Sequence, residues 1–336
     1  MYKFKLFFLS IFLIFISFLY YNSYSYSIKK EVIINTSNEW IVNIYAWWDI
    51  MLSRYVWYLN KTKWYDRIFK DYNPINSFSW WISIFNLESP FSKTDKDSSK
   101  RTFSFWANIK NKILLKEIIW ENKWIFSIAN NHILNSWKEG YELTKNILKE
   151  EGFQYIWDKN SLFKSEVVNN IKVCFSSYSY DGTDSYIKKL SLNNIKTDVK
   201  AMNKANCEIK IIMPHWGEEY KYNPTKEQRK LAYEIIDAWI DIILWSHSHI
   251  PWEIEYYKNK LIIYSLGNYI FDQNWWMQWC EKWMDCSYDK QLKKQTVPTY
   301  IGTLLNIKVN IKNKEIKIEN IKNHKIDNGK IIKIQQ

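Results

Sequence analysis

Glycine is scarce in this chain: 7 residues in 336, against 20 tryptophans, where ordinary chains hold about 7% glycine. Tight turns and close backbone approaches need a left-handed φ or no Cβ, which glycine alone supplies cheaply. The tryptophans stand where glycine is expected. Trp47 and Trp48 precede Asp49 at the end of an apolar run, and Trp137 lies in the turn after His132. Trp245 precedes Ser-His-Ser-His, Trp252 follows Pro251, and Trp275, Trp276, Trp279 and Trp283 fill a polar stretch. The reading adopted is that most of them are UGA codons, translated as glycine in the source cell as some bacterial lineages do. The rest of the composition, rich in Lys, Ile, Asn, Tyr and Phe with only four Arg, fits an AT-rich genome.

Cysteine is also rare, at four. Cys280 and Cys286 have no matching pair nearby, which argues against a zinc knot and leaves a small loop disulfide. Cys174 and Cys207 either pair or are core residues. No internal repeat is present. A formal net charge of +12 would suit a cell surface or a polyanion. No helix-turn-helix, finger or aromatic-basic ribbon accompanies it, so nucleic acid is not an expected partner.

One long uncharged run occurs, Leu6 to Tyr21, behind Lys3 and Lys5. It is short of the roughly 20 residues that span a bilayer comfortably, and its basic flank gives it the form of an export signal. Residues 1–27 therefore read as a signal peptide or signal anchor, 28–39 as a linker, 40–323 as the globular domain and 324–336 as a basic tail. The basic flank places the body outside the cytoplasm, tethered to the cell membrane or secreted.

Apolar runs ending in polar residues read as strands over 41–45, 82–85, 125–129, 171–176, 209–213, 240–244 and 261–264. Helices read over 225–239, opened by a Thr225/Gln228 capping box, and over 139–150. Alternation of the two implies an α/β sheet. Ile307, Val309, Ile311, Ile316 and Ile318 alternate with polar residues as in an antiparallel hairpin. Residues 92–102 and 274–296 read as loops.

Four of the five histidines fall in short motifs after such strands: Asn130-Asn131-His132, Pro214-His215-Trp216-Gly217 and His247-Ser248-His249. Two further strands end at Asp49 and at Asn86-Leu87-Glu88. Ligands collect at the carboxyl ends of strands in open α/β sheets. Imidazole, carboxylate and amide oxygen together suit divalent Mn, Fe or Zn. The expected metal ligands are Asp49, Glu88, Asn131, His215, His247 and His249, with Asn131 able to bridge two ions. His132 is placed as a general acid or base. Two ions so held would activate a water and clamp an oxyanion.

These motifs, in this order, resemble the CapA family of capsule and poly-γ-glutamate biosynthesis, a branch of the calcineurin-like metallophosphoesterases. The matching stretches are Trp48 to Arg54, Asn86 to Pro90, Ala129 to His132, His215 to Tyr220, Trp245 to His249 and Tyr264 to Asp272. The resemblance implies a four-layer α/β/β/α sandwich, a surface-polymer substrate, partners in polymer synthesis or export, His132 as catalytic acid and Arg54 as an anion-holding group. The family has glycine at positions 48, 137 and 245, and a tryptophan in its His-Trp-Gly motif, so Trp216 is expected to be genuine. Indoles at 47, 48 and 245 would crowd the cleft. Two departures stand out: Met51 replaces the histidine of the wider Asp-x-His pattern, and Glu88 replaces an Asp. One metal site is therefore expected to be the weaker, and a non-catalytic role in a synthesis complex, or a general phosphoesterase activity, is the alternative.

Overall fold

The structure is a computed structural model that describes residues 40–53, 56, 81–94, 104–118, 123–156, 162–181, 186–271, 299, 301–327 and 330–333. The N-terminal apolar run, the linker, Arg54, Cys280, Cys286 and the 274–296 loop lie outside them.

Two sheets form the centre. The first joins β1 (Ile41–Ala46), β2 (Trp81–Asn86), β5 (Lys123–Ser127) and β6 (Gln154–Ile156) in parallel. It is extended antiparallel from β1 by β13 (Ile301–Asn310), β14 (Glu315–Asp327) and β15 (Lys330–Lys333). The second has the order β11-β12-β10-β9-β8-β7. Its parallel interior is β8 (Ile171–Ser179), β9 (Ile209–His215), β10 (Ile242–Leu244) and β12 (Lys260–Ile263). The antiparallel edges are β7 (Lys164–Val168) and β11 (Ile254–Tyr257). A short separate ladder pairs β3 (Phe91–Ser92) with β4 (Ala107–Asn108).

Strand side chains alternate between faces, and that alternation builds the layers. Val42, Ile44, Ala46, Ile82, Ile84 and Ile125 of the first sheet meet Val173, Phe175, Ile209, Ile211, Met213 and Leu244 of the second. On the opposite face of the first sheet, Tyr45, Phe85 and Phe126 pack against α1 (Lys112–Ile118) and α2 (Trp137–Glu150) through Leu114, Leu115, Ile147 and Leu148. On the outer face of the second, Ile212, Ile243 and Ile262 pack against α3 (Leu192–Lys204) and α4 (Lys226–Asp237) through Ile195, Val199, Ala232 and Ile235. The result is the expected α/β/β/α sandwich.

Each strand read from the sequence exists, with ends shifted by one to three residues. Thr225 and Gln228 form the capping box at the start of α4. Cys174 and Cys207 are disulfide-bonded, with Cα atoms 5.8 Å apart. The C-terminal hairpin is longer than the sequence pattern marks. Of residues 324–336, read as a basic tail, 324–327 instead complete β14 and 330–333 form β15. The reason is pairing: His324 to Asp327 run against Lys330 to Lys333. His324 is itself buried, edge-on to Tyr269. Indoles 47, 48 and 245, expected in the cleft, follow the ends of β1 and β10 and belong to the three large apolar clusters.

Candidate metal centre

The parallel strands of both sheets end on the same side, and their carboxyl ends carry the ligand candidates. Asp49 follows β1, Glu88 follows β2, Asn131 and His132 follow β5, His215 ends β9, and His247 and His249 follow β10. Asp49, Glu88 and His249 are buried, as is His215. Backbone bridges from Ile50 to Leu87 and Ile270, and from His215 to Ser246, hold these strand ends together.

Two donor groups result, each with its ligand atoms within 4.8 Å of one another: Glu88 with His215 and His247, and Asp49 with Glu88 and His249. Glu88 is common to both. Its Oε1 lies 3.8 Å from His215 Nε2, 3.7 Å from His249 Nε2 and 3.9 Å from His132 Nε2. His249 Nδ1 is 3.5 Å from Asp49 Oδ2. Asn131 Oδ1 is 2.9 Å from His215 Nε2, and His247 Nδ1 is 3.0 Å from that same nitrogen. Asn131 was expected to bridge the two groups, but its amide reaches the His215 side, and the shared position falls to the longer carboxylate of Glu88. Arg54 falls on residues that the structure does not describe.

A second set of side chains fixes the first. His132 Nδ1 lies 2.9 Å from Asn135 Oδ1, and His249 Nδ1 lies 3.0 Å from Asn268 Oδ1. An amide oxygen only accepts, so Nδ1 carries the proton in both rings and Nε2 presents a lone pair towards Glu88. His215 Nδ1 is 2.8 Å from Ser246 Oγ. Asn86 Nδ2 donates to Asp49 Oδ1 at 2.7 Å, and Asn130 donates to Asn86 Oδ1. Partners of this kind orient metal-binding histidines and carboxylates. Asn268 is seated by a close approach. A Cβ on Gly302 would lie 2.0 Å from the Asn268 carbonyl oxygen, so only glycine fits there.

The electrostatics suit a cation. Burial raises the Asp49 carboxyl above its ordinary range, against the pull of His249. Burial likewise lowers His215 well below the usual imidazole value, with His247 adding to it, and lowers His247 to about 4. Both rings thus favour the neutral form, which keeps a lone pair for a cation. Asp49 is wholly buried, and among the described residues its Oδ2 makes no hydrogen bond, its nearest charged-group contact being His249 Nδ1 at 3.5 Å. A buried carboxylate in that state is stabilised by a positive charge beside it. The donor set of two carboxylates, one amide oxygen and three imidazoles fits divalent ions of intermediate softness.

The backbone at the ligands is strained. Asp49 has φ 34°, His247 φ 109° and His249 φ 61°, conformations that cost of order 1–3 kcal/mol each and concentrate at functional sites. Met51 occupies the place where Asp-x-His would put a further ligand. Its side chain is buried, with the sulfur 3.1 Å from the Ser53 amide nitrogen. The group formed by Asp49, Glu88 and His249 is therefore one donor poorer than the other, which also has Asn131.

The fold and site define a four-layer α/β/β/α protein with a candidate divalent-metal cluster at its strand ends. The chain belongs to the family described as bacterial capsule synthesis protein PGA_cap, whose model matches residues 43–273. It is 30% identical over 242 residues to the PGA biosynthesis protein CapA of Bacillus subtilis (strain 168), covering 68% of this chain and 62% of that protein. It is 28% identical over 249 residues to the capsule biosynthesis protein CapA of Bacillus anthracis, covering 68% and 59%. A probable polyglutamine synthesis accessory protein of Mycobacterium tuberculosis is 26% identical over 57% of this chain and 56% of its own length. The match thus spans about three fifths of the curated relatives. Among solved structures, a phosphatase from Mycoplasma pneumoniae superposes with TM-score 0.46 at 12% identity, covering 84% of this chain and 92% of that one. A hypothetical protein from Thermus thermophilus does so with TM-score 0.47 at 10% identity, covering 87% and 100%.

Proposed function

We propose that this chain is an extracytoplasmic, metal-dependent hydrolase acting on a surface polymer, either an amide-linked glutamyl chain or a phosphoester-containing one. The observation that carries the reading is the sharing of Glu88 by two donor groups built from separate strands. Relatives named for capsule and poly-glutamate synthesis support the polymer. The Cys174–Cys207 disulfide suits an oxidising compartment, and the apolar run behind Lys3 and Lys5 suits export with or without retention as a membrane anchor.

Glu88, His215, His247 and Asn131 would hold one divalent ion, and Asp49, Glu88 and His249 a second. Bound there, Mn, Fe or Zn supplies Lewis-acid polarisation and a water acidic enough to attack at neutral pH. The remaining work falls to the chain. Asn135 holds the His132 ring with the Nε2 lone pair turned to the cluster, where Nε2 can take up a proton and then pass it to the leaving group. Asn86, Ser246 and Asn268 keep the ligands in register. Arg54 is assigned to an anionic group of the substrate. The polypeptide given this role carries glycine at several of the written tryptophans.

Met51 favours a second reading, in which the fold and one ion are kept in a non-catalytic subunit of a polymer synthesis or export complex. The test uses the chain both as written and with Trp47→Gly, Trp48→Gly, Trp137→Gly and Trp245→Gly. Each is titrated with Mn²⁺, Fe²⁺ and Zn²⁺ and assayed on poly-γ-glutamate and on p-nitrophenyl phosphate esters. Turnover lost in His132→Ala and His247→Ala, with folding intact, is expected. Turnover of the esters alone points to a general phosphoesterase. Bound metal without turnover of either leaves the scaffold, and a folded protein without metal ends both readings.

A further inference from the structure

Three helices of this chain end in the same way. After α2 the capping residue Glu151 is followed by Gly152, with φ 81° and its amide donating to Lys149 O at 3.1 Å. After α3, Ala205 is followed by Asn206, with φ 57° and its amide donating to Asn203 O at 3.0 Å. After α4, Ala238 is followed by Trp239, with φ 74° and its amide donating to Ile236 O at 3.0 Å. Glycine, and after it asparagine, are the residues that this left-handed capping position selects. Tryptophan is not, because its Cβ crowds the backbone. Nor does packing repay the strain, since Trp239 is 78% exposed. The same holds at Trp137, where φ is 58° and exposure 74%. Among the described residues, the other positive-φ positions outside the ligand set are glycine, asparagine, lysine or tyrosine.

A separate observation concerns buried tryptophans. Buried indole nitrogens without a hydrogen-bond partner among the described residues occur at Trp124 in β5 and at the adjacent pair Trp47 and Trp48, although burying such a donor unpaired costs about 1–3 kcal/mol and native interiors nearly always avoid it. Trp47 and Trp48 run directly into Asp49, whose own φ is 34°. Trp216 differs on every count. Its backbone is not left-handed, it is half-buried, and its ring stacks on Tyr180 at 5.3 Å.

We propose that positions 47, 48, 137 and 239 are glycine in the protein its own cell makes, their UGA codons being read as glycine there, while Trp216 is a true tryptophan. Backbone conformation at 137 and 239 and orphaned indoles at 47 and 48 add two criteria independent of composition, and position 239 is singled out by conformation alone. The glycines would then stand where the chain needs them: at the approach to Asp49, in the turn behind His132 and at the end of α4.

The experiment combines the codons of the gene with peptide mass mapping of the protein isolated from its source cells. UGA codons and glycine masses at 47, 48, 137 and 239, with UGG and a tryptophan mass at 216, are expected. A UGG codon at these four positions, or a tryptophan mass in their peptides, overturns the assignment. A second measurement uses the all-tryptophan chain made from a synthetic gene. Trp137→Gly and Trp239→Gly should each raise Tm by about 2 °C or more, whereas Trp216→Gly should lower it. A fall in Tm on both of the first two substitutions contradicts the proposal. None of these readouts needs bound metal, so they stand or fall apart from the hydrolase reading.

Discussion

Around Glu88, one side of the cluster gathers Asn131, His215 and His247, while the other gathers only Asp49 and His249. Both sides draw on both sheets, and both have their histidines oriented by a neighbouring polar group, Ser246 on one side and Asn268 on the other. What separates them is one residue, Met51, buried where another ligand would complete the second set. Two sites assembled by the same architecture can thus differ in affinity through a single side chain, and the common carboxylate makes neither independent of the other.

The sharpest way to break this comparison is to remove what the sides share. Glu88→Gln keeps the volume and removes the charge. It is expected to abolish binding on both sides and to lower any turnover by at least about 100-fold, read by metal titration and by assay. If only one ion is lost, Glu88 is not shared.

Acid stability separates loss of metal from loss of fold. Burial lowers His324 to about 4, and it lies outside the cluster in β14. A base whose folded pKa lies below its unfolded value near 6.5 leaves the unfolded chain binding more protons between those values. Stability is therefore full above pH 6.5 and falls as pH drops towards 4, by roughly 3 kcal/mol for this one residue. Thermal unfolding of metal-free protein between pH 7 and 4 should show the decline, and His324→Leu should reduce its slope, His215 and His247 carrying the remainder. An unchanged slope would assign acid lability elsewhere.

Smaller effects belong to the orienting groups. Ser246→Ala and Asn268→Ala should each weaken binding by about 10–100-fold, the first on the His215 side and the second on the His249 side. Equal effects on both sides would dissolve the distinction. Met51→His is expected to narrow the gap between the two affinities. An unaltered gap would mean that position 51 does not face the ion.

Much of this was legible in the sequence because β-branched runs with abrupt polar ends are visible without neighbours. All six expected ligands do stand at strand ends. The orienting residues were not legible. Asn86 and Asn268 lie inside recognisable motifs, yet their roles depend on partners 37 and 19 residues away. Asn135 had a local signal, three residues beyond His132, that only the turn geometry makes meaningful. Helix α3 was overlooked although Ile195, Val199 and Met202 fall on one face, because Asp198 interrupts it. Asp198 is buried there in an ion pair with Lys188 at 2.5 Å. The last strand was hidden because it is only Lys-Ile-Ile-Lys and the end of β14 before it is mostly polar, which reads as a tail until the hairpin pairs it.

Elemental analysis of the folded, dialysed protein beside its His247→Ala and His249→Ala forms tests the unequal pair most directly. One ion should survive dialysis in the parent and in His249→Ala, and none in His247→Ala. Equal loss from both variants, or a folded parent that retains no metal at all, would contradict it.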